Sequence, residues 1–208
     1  MDHGATDVAE EQVIEVATRL FAGLGYDVTT LDMISGALGV PTSRIVELTG
    51  GKRELYLRVM ERLFEAKYTA VEAAADGVET GREALHRMAD RYLDFYAAHP
   101  DYLALWEHRS VSDASDITDV EDRYMRPLLR LVARRIRADA PEDIGAYAIV
   151  GVILWIINGF LSTGVLAPRQ GMKRADDPET LEYFRTVMHT VIDRLLAPPP
   201  APALDGGR

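Results

Sequence analysis

At 208 residues, 48% of them hydrophobic, the chain is long enough to bury a sizeable core, as one large domain or as a small one joined to a larger. It contains no cysteine, which excludes disulfides, thiolate metal sites and cysteine nucleophiles. The net charge of −10 excludes a generally basic nucleic-acid-binding face; residues 1–60 carry five basic against nine acidic side chains, so any contact with DNA has to come from a local patch.

The opening MDHGATDVAEE is acidic and polar, without the basic start and apolar centre of a signal peptide. A first helix follows, with Val13, Ile14, Ala17, Leu20, Phe21 and Leu24 on one apolar stripe and Gly25 as its left-handed cap. Thr29 or Thr30 caps a second helix, with Asp32 in the first turn where the helix dipole favours negative charge. A tight Leu38-Gly39-Val40 turn leads to a third helix, with Pro41 suited to its first turn and Gly50-Gly51 ending it. A long fourth helix is expected over 52–75, with Leu55, Val59, Leu63 and Ala66 on its buried side. Helical segments then run over 80–98, 101–110 and 119–139, followed by two more over 141–166 and 178–196. The uncharged run from Ala146 to Leu161 is shorter than the roughly 20 residues that span a bilayer, so a soluble, cytoplasmic protein is expected. No alternating segment predicts a sheet, and the tail 198–208, PPPAPALDGGR, is expected to be disordered. The fold class is therefore all-α, with about nine helices.

Residues 29–55 have the outline of a helix-turn-helix DNA reader, whose second helix lies in the major groove with its N-terminal residues at base edges. Arg44 is suited to guanine O6 and N7, and Thr42 and Ser43 to bases or phosphates. Thr30, with the free N–H groups that open the second helix, makes an anion seat, and Lys52 holds another phosphate.

Leu20-Phe21, Gly25-Tyr26, Thr29-Thr30, Ile34, Ala37, Gly39-Val40, Lys52 and Leu55 lie in the order and at the spacing of the TetR family of bacterial transcription regulators, which this segment resembles. The resemblance implies a helix-turn-helix DNA-binding domain over 1–51 and a helical ligand-binding and dimerisation domain over 52–197. It also has departures. The family usually has an aromatic residue at the place of Val46, a polar donor at Glu47 and phenylalanine at Thr49. Val46 can donate nothing, and Glu47 repels a phosphate unless it accepts from a cytosine N4.

For the larger region the resemblance implies an effector cavity among the middle helices. Tyr92, Phe95, Tyr96, Trp106, Arg109, Tyr124, Trp155, Asn158 and Ser162 are the candidate lining, suited to a flat or greasy effector. Aromatics at this spacing also serve ordinary core packing, and Arg109 has Glu107, Asp113 and Asp116 nearby as ion-pair partners. The last two helices are apolar on broad faces, and Ile153, Ile157, Phe160, Phe184, Met188, Val191, Ile192 and Leu195 are expected to form a twofold four-helix interface with a second chain.

The five histidines show no metal-ligand spacing, and phosphate loops and nucleophile elbows are absent from the sequence. No cofactor and no enzymatic activity are expected. The expected function is a homodimeric, ligand-responsive regulator of an operator, most simply a repressor. Its alternative is a binding protein on the same scaffold that has lost operator recognition, with a cofactor-free helical enzyme a distant third.

Overall fold

The computed structural model describes residues 8–167 and 171–197; the tail expected to be disordered lies outside them. Among the described residues there are ten α-helices and one short hairpin. The helices are α1 (Glu10–Leu24), α2 (Leu31–Leu38), α3 (Thr42–Thr49), α4 (Lys52–Ala73), α5 (Gly81–Ala98) and α6 (Pro100–Ser110), then α7 (Val120–Tyr124), α8 (Arg126–Ile136), α9 (Ala146–Thr163) and α10 (Pro178–Leu195). The all-α expectation holds. The segment expected as one helix over 119–139 is two, broken at Met125. A hairpin, β1 (Val165–Ala167) and β2 (Gly171–Lys173), pairs antiparallel with Val165 opposite Lys173. Three-residue strands are too short to show a period of two in sequence.

The chain divides into two compact units, Met1–Ala70 with Asp94–Leu128, and Val71–Leu93 with Leu129–Arg208. In the first unit, the α1 stripe buries Val13, Ile14, Ala17 and Phe21, while Leu24, expected on it, is exposed. Phe21, Tyr26 and Tyr56 form an aromatic cluster, with Phe21 edge-on to Tyr56 at 5.3 Å and Tyr26 4.9 Å from Tyr56. Ile34 and Ile45 are fully buried, one from each of α2 and α3. On α4 the buried stripe runs through Leu55, Val59 and Leu63 to Lys67, whereas Ala66 is exposed.

In the second unit α9 packs on α10. Stacked Phe160 and Phe184 rings, 3.9 Å apart at 5°, mark the contact. By length and composition alone α9 qualifies to cross a membrane. In the folded chain, however, it buries Ile149, Val150, Ile153, Ile157 and Phe160.

Candidate functional site

The α2–α3 pair is built by its caps. Thr30 is the N-cap of α2 and its hydroxyl accepts from Met33 N at 3.2 Å. Gly39 ends α2 in the left-handed region, φ 69°, a conformation that costs a side-chain-bearing residue energy and lets the chain reverse into α3. Pro41 is the N-cap of α3 rather than part of its first turn, so Thr42 is the first helical residue. The Thr42 hydroxyl donates to Asp32 Oδ1 at 2.7 Å and lies 3.1 Å from Ser35 Oγ, which fixes the α2–α3 angle from within. Thr42 is thus a frame residue as well as a candidate contact. Ser43 and Glu47 are exposed and Arg44 is half-buried.

Arg44 Nη1 lies 3.4 Å from Glu47 Oε2, one turn along α3, so the cation at the start of α3 is partly neutralised by the anion beside it. Lys52 donates to Asp27 O at 3.3 Å and sits 4.4 Å above the Tyr26 ring. Thr49 is fully buried and satisfies its hydroxyl on Ile45 O at 2.8 Å, so the position that lacks the usual aromatic is a core position nonetheless.

The α1–α2 turn is held by a loop far away in sequence. Asp113 accepts from Tyr26 N at 2.7 Å and Asp27 N at 2.9 Å. Asp27 Oδ1 in turn accepts from Ala114 N at 3.4 Å. On α6, His108 Nε2 donates to Ala22 O at 2.9 Å. Gly25, φ 81°, lies under this joint, and a Cβ there would meet Asp113 Oδ1 at 3.0 Å and His108 Nδ1 at 3.3 Å. Arg109, expected in a ligand pocket, instead organises the loop. It pairs with Glu121 at 2.6 Å and donates to the carbonyls of Asp113, Ala114 and Ile117. A hydrogen bond from Arg109 holds the Glu121 carboxyl below its usual range. The ion pair is thus made to Glu121 and not to Glu107, Asp113 or Asp116, the nearer acids in sequence.

The other expected lining residues separate. Tyr96 is buried against Lys67, whose amine donates to Tyr96 Oη at 3.1 Å. Trp106 brings its ring 5.4 Å from the same amine. Lys67 was not among the sequence candidates; its signal was its place four residues after Leu63 on an otherwise apolar stripe. Phe95 is half-buried beside His99 and Tyr102, at 4.9 and 6.0 Å. Tyr124 donates to Leu57 O at 3.3 Å, tying α7 to α4.

In the second unit Tyr92 donates to Asn158 Oδ1 at 3.2 Å, so the amide inside the most apolar helix is met by a phenol. Trp155 is 77% exposed and Ser162 is exposed, which puts both on an outer surface rather than in an enclosed lining.

The expected interface residues are placed as follows. Ile153, Ile157, Phe160, Phe184, Met188 and Ile192 are buried within the single chain, and Val191 and Leu195 are half-buried. The large apolar residues that α9 and α10 do leave exposed are Tyr147, Trp155, Tyr183 and Val187. In each helix the exposed pair is separated by a multiple of four residues, the spacing of one helical face.

No protein-family model matches the chain. A segment of 124 residues, 60% of the chain, is 21% identical to an uncharacterized HTH-type transcriptional regulator, YhgD, of Bacillus subtilis, and the match spans 65% of that relative. Among solved structures, the TetR family transcriptional regulator PfmR of Thermus thermophilus superposes with a TM-score of 0.60 at 20% identity, over 89% of this chain and 98% of that one. A putative TetR family regulator of Shewanella sp. PV-4 gives 0.67 at 18% identity, over 88% and 95%. At these identities the likeness establishes the fold: the chain is folded as the TetR-family transcription regulators are.

Proposed function

We propose that this chain is a DNA-binding transcription regulator, cytoplasmic and homodimeric, acting as a repressor whose hold on an operator is relaxed by a largely apolar small molecule. The observation that carries the reading is the α2–α3 frame. A threonine-capped helix, a left-handed glycine and a second helix of two turns present Ser43 and Arg44 at an accessible tip, with Lys52 beside it. No cofactor or metal enters this reading, and no catalytic step. Dimerisation supplies the second reading head that a short, weakly charged helix needs. Its surface is the exposed face with Tyr147, Trp155, Tyr183 and Val187.

The test is selection of genomic fragments across a salt series, followed by binding of the retained sequence to variants. Arg44→Ala is expected to cost about 1–3 kcal/mol of discrimination between the retained sequence and random DNA. Glu47→Gln releases Arg44 and removes an anion from the phosphate-facing helix, so it should tighten binding, most strongly at low salt. Failure to retain any sequence at low salt overturns the reading.

A second reading, a regulator-like binder without an operator, has one observation in its favour. Arg44 spends part of its charge on Glu47, and Thr42 spends its proton on Asp32. It predicts that Arg44→Ala leaves DNA association unchanged.

A further inference from the structure

Between α1, α4 and the α5–α6 corner, all within the first unit, lies a cavity of about 290 Å³. That is close to the roughly 300 Å³ at which small-ligand pockets begin. Its formally charged lining is balanced, with Arg19 and Arg62 against Glu15 and Asp101. Glu15 is taken up by Arg19, one turn away, through a single Nη at 3.2 Å. Arg62 gives one Nη to Glu11, which lies outside the lining. A guanidinium carries five N–H donors, so both arginines keep donors for an acceptor in the cavity. Asp101 differs, because no cation pairs with it among the described residues. Tyr102 also lines the cavity, its ring stacked on Phe95 at 6.0 Å and 11°, and 5.5 Å from the ring of His99. Donors for an anion, a free carboxylate for a cation and a braced aromatic ring thus meet in one space sized for a small molecule.

We propose that this cavity binds a free aromatic α-amino acid as its zwitterion, with the carboxylate on Arg19 and Arg62, the ammonium on Asp101 and the ring against Tyr102. A lining that offers both signs in balance is matched by a ligand that carries both, whereas a simple acid or amine answers only half of it. Guanidinium forks suit a carboxylate, and an ammonium makes charge-assisted bonds to the Asp101 carboxylate. Offset stacking of the ligand ring extends the Phe95–Tyr102 pair. Arg19, Arg62 and Asp101 are exposed, so each charged contact contributes modestly and selectivity comes from the set. One wall of the cavity is α1, which packs on α2, α3 and α6, so an occupied cavity fastens α1 to α4 and α6. The site goes beyond the regulator reading above and does not depend on it.

The experiment is calorimetric titration of the full chain with L-phenylalanine, phenylpropionate and phenylethylamine, the zwitterion and its two single-charge analogues. Phenylalanine is expected to bind about fivefold or more tightly than either analogue, whether or not the analogues bind detectably. Arg62→Gln and Asp101→Asn, both at exposed positions, should each weaken phenylalanine about fivefold or more. Arg87→Gln, the same loss of charge on α5 outside the lining, should leave its affinity unchanged. Absence of phenylalanine binding at millimolar concentration overturns the proposal. So does an analogue that binds as tightly, an affinity that either lining substitution leaves untouched, or one that Arg87→Gln weakens as much. Failure of the regulator reading is scored apart, in the salt series above, and leaves amino-acid binding where it is.

Discussion

The cost of Lys67 has a sign that can be measured without any ligand. Burial lowers the amine to about 7, against 10.5 for an unperturbed lysine. Between those values the unfolded chain binds the extra proton, so stability rises with pH across that window, and below about 7 the whole cost is present. By linkage the cost at neutral pH is on the order of a few kcal/mol. Lys67→Met is therefore expected to stabilise the protein at neutral pH and to flatten the rise toward alkaline pH. Urea unfolding at about pH 7 and about pH 9.5 reads both effects. A loss of stability in Lys67→Met would show that the amine's contacts outweigh the cost of burying it. The residue was legible as an anomaly, a lysine on an apolar stripe, but its neighbours come from α5 and α6, and no spacing along α4 names them. Arg109 shows the converse. Its type and its acidic neighbourhood were plain in sequence, yet its true partners are three loop carbonyls and Glu121, which depend on how residues 111–119 fold back.

At the scale of elements, the α2–α3 pair was the most legible part, because its signals are local: a capping threonine, a glycine in the left-handed region and apolar stripes at helical spacing. The brace on the α1–α2 turn was not, since Asp113 lies 87 residues from the Tyr26 N–H that it accepts. Asp113→Ala removes two charge-assisted hydrogen bonds and leaves two N–H groups to find water. The expected loss is about 1–3 kcal/mol of stability, with weaker DNA binding, measured by thermal unfolding and by fluorescence anisotropy. A second joint lies in the other unit, where His86 of α5 stacks on His189 of α10 at 4.4 Å. His86 Nε2 is 3.1 Å from Asp193 and His189 Nε2 is 2.8 Å from Asp90. Burial first, and then the neighbouring His189, hold the His86 ring below its ordinary 6.5, outweighing Asp193. The unfolded chain then takes up the proton first as pH falls, so stability begins to drop through about pH 6.5 and the loss is complete below the folded value. His86→Gln should blunt this acid sensitivity in melting temperatures recorded between about pH 7.5 and about pH 5. An unchanged slope would assign the sensitivity elsewhere.

For the whole molecule, sequence pattern showed that the last two helices are apolar on more than one side, but not which side each residue takes. In the folded chain the stripe through Ile149, Ile153, Ile157 and Phe160 meets the stripe through Phe184, Met188 and Ile192 within one unit. What remains outward is Tyr147 and Trp155 on α9 and Tyr183 and Val187 on α10. Four large apolar side chains exposed on two packed helices are the candidates for an association surface, with Trp155, at 77% exposed, the foremost. In the twofold dimer proposed above, each such residue would meet the same face of its mate, so a single charge would be duplicated in the interface. Trp155→Glu is therefore expected to convert a dimer into a monomer at micromolar concentration in sedimentation velocity, with its helix content intact. Ile157→Ala, in the contact between α9 and α10 of one chain, should instead cost about 2–5 kcal/mol of stability and leave the oligomeric state alone. A wild-type monomer, or a Trp155→Glu protein that still sediments as a dimer, would move the interface away from this face.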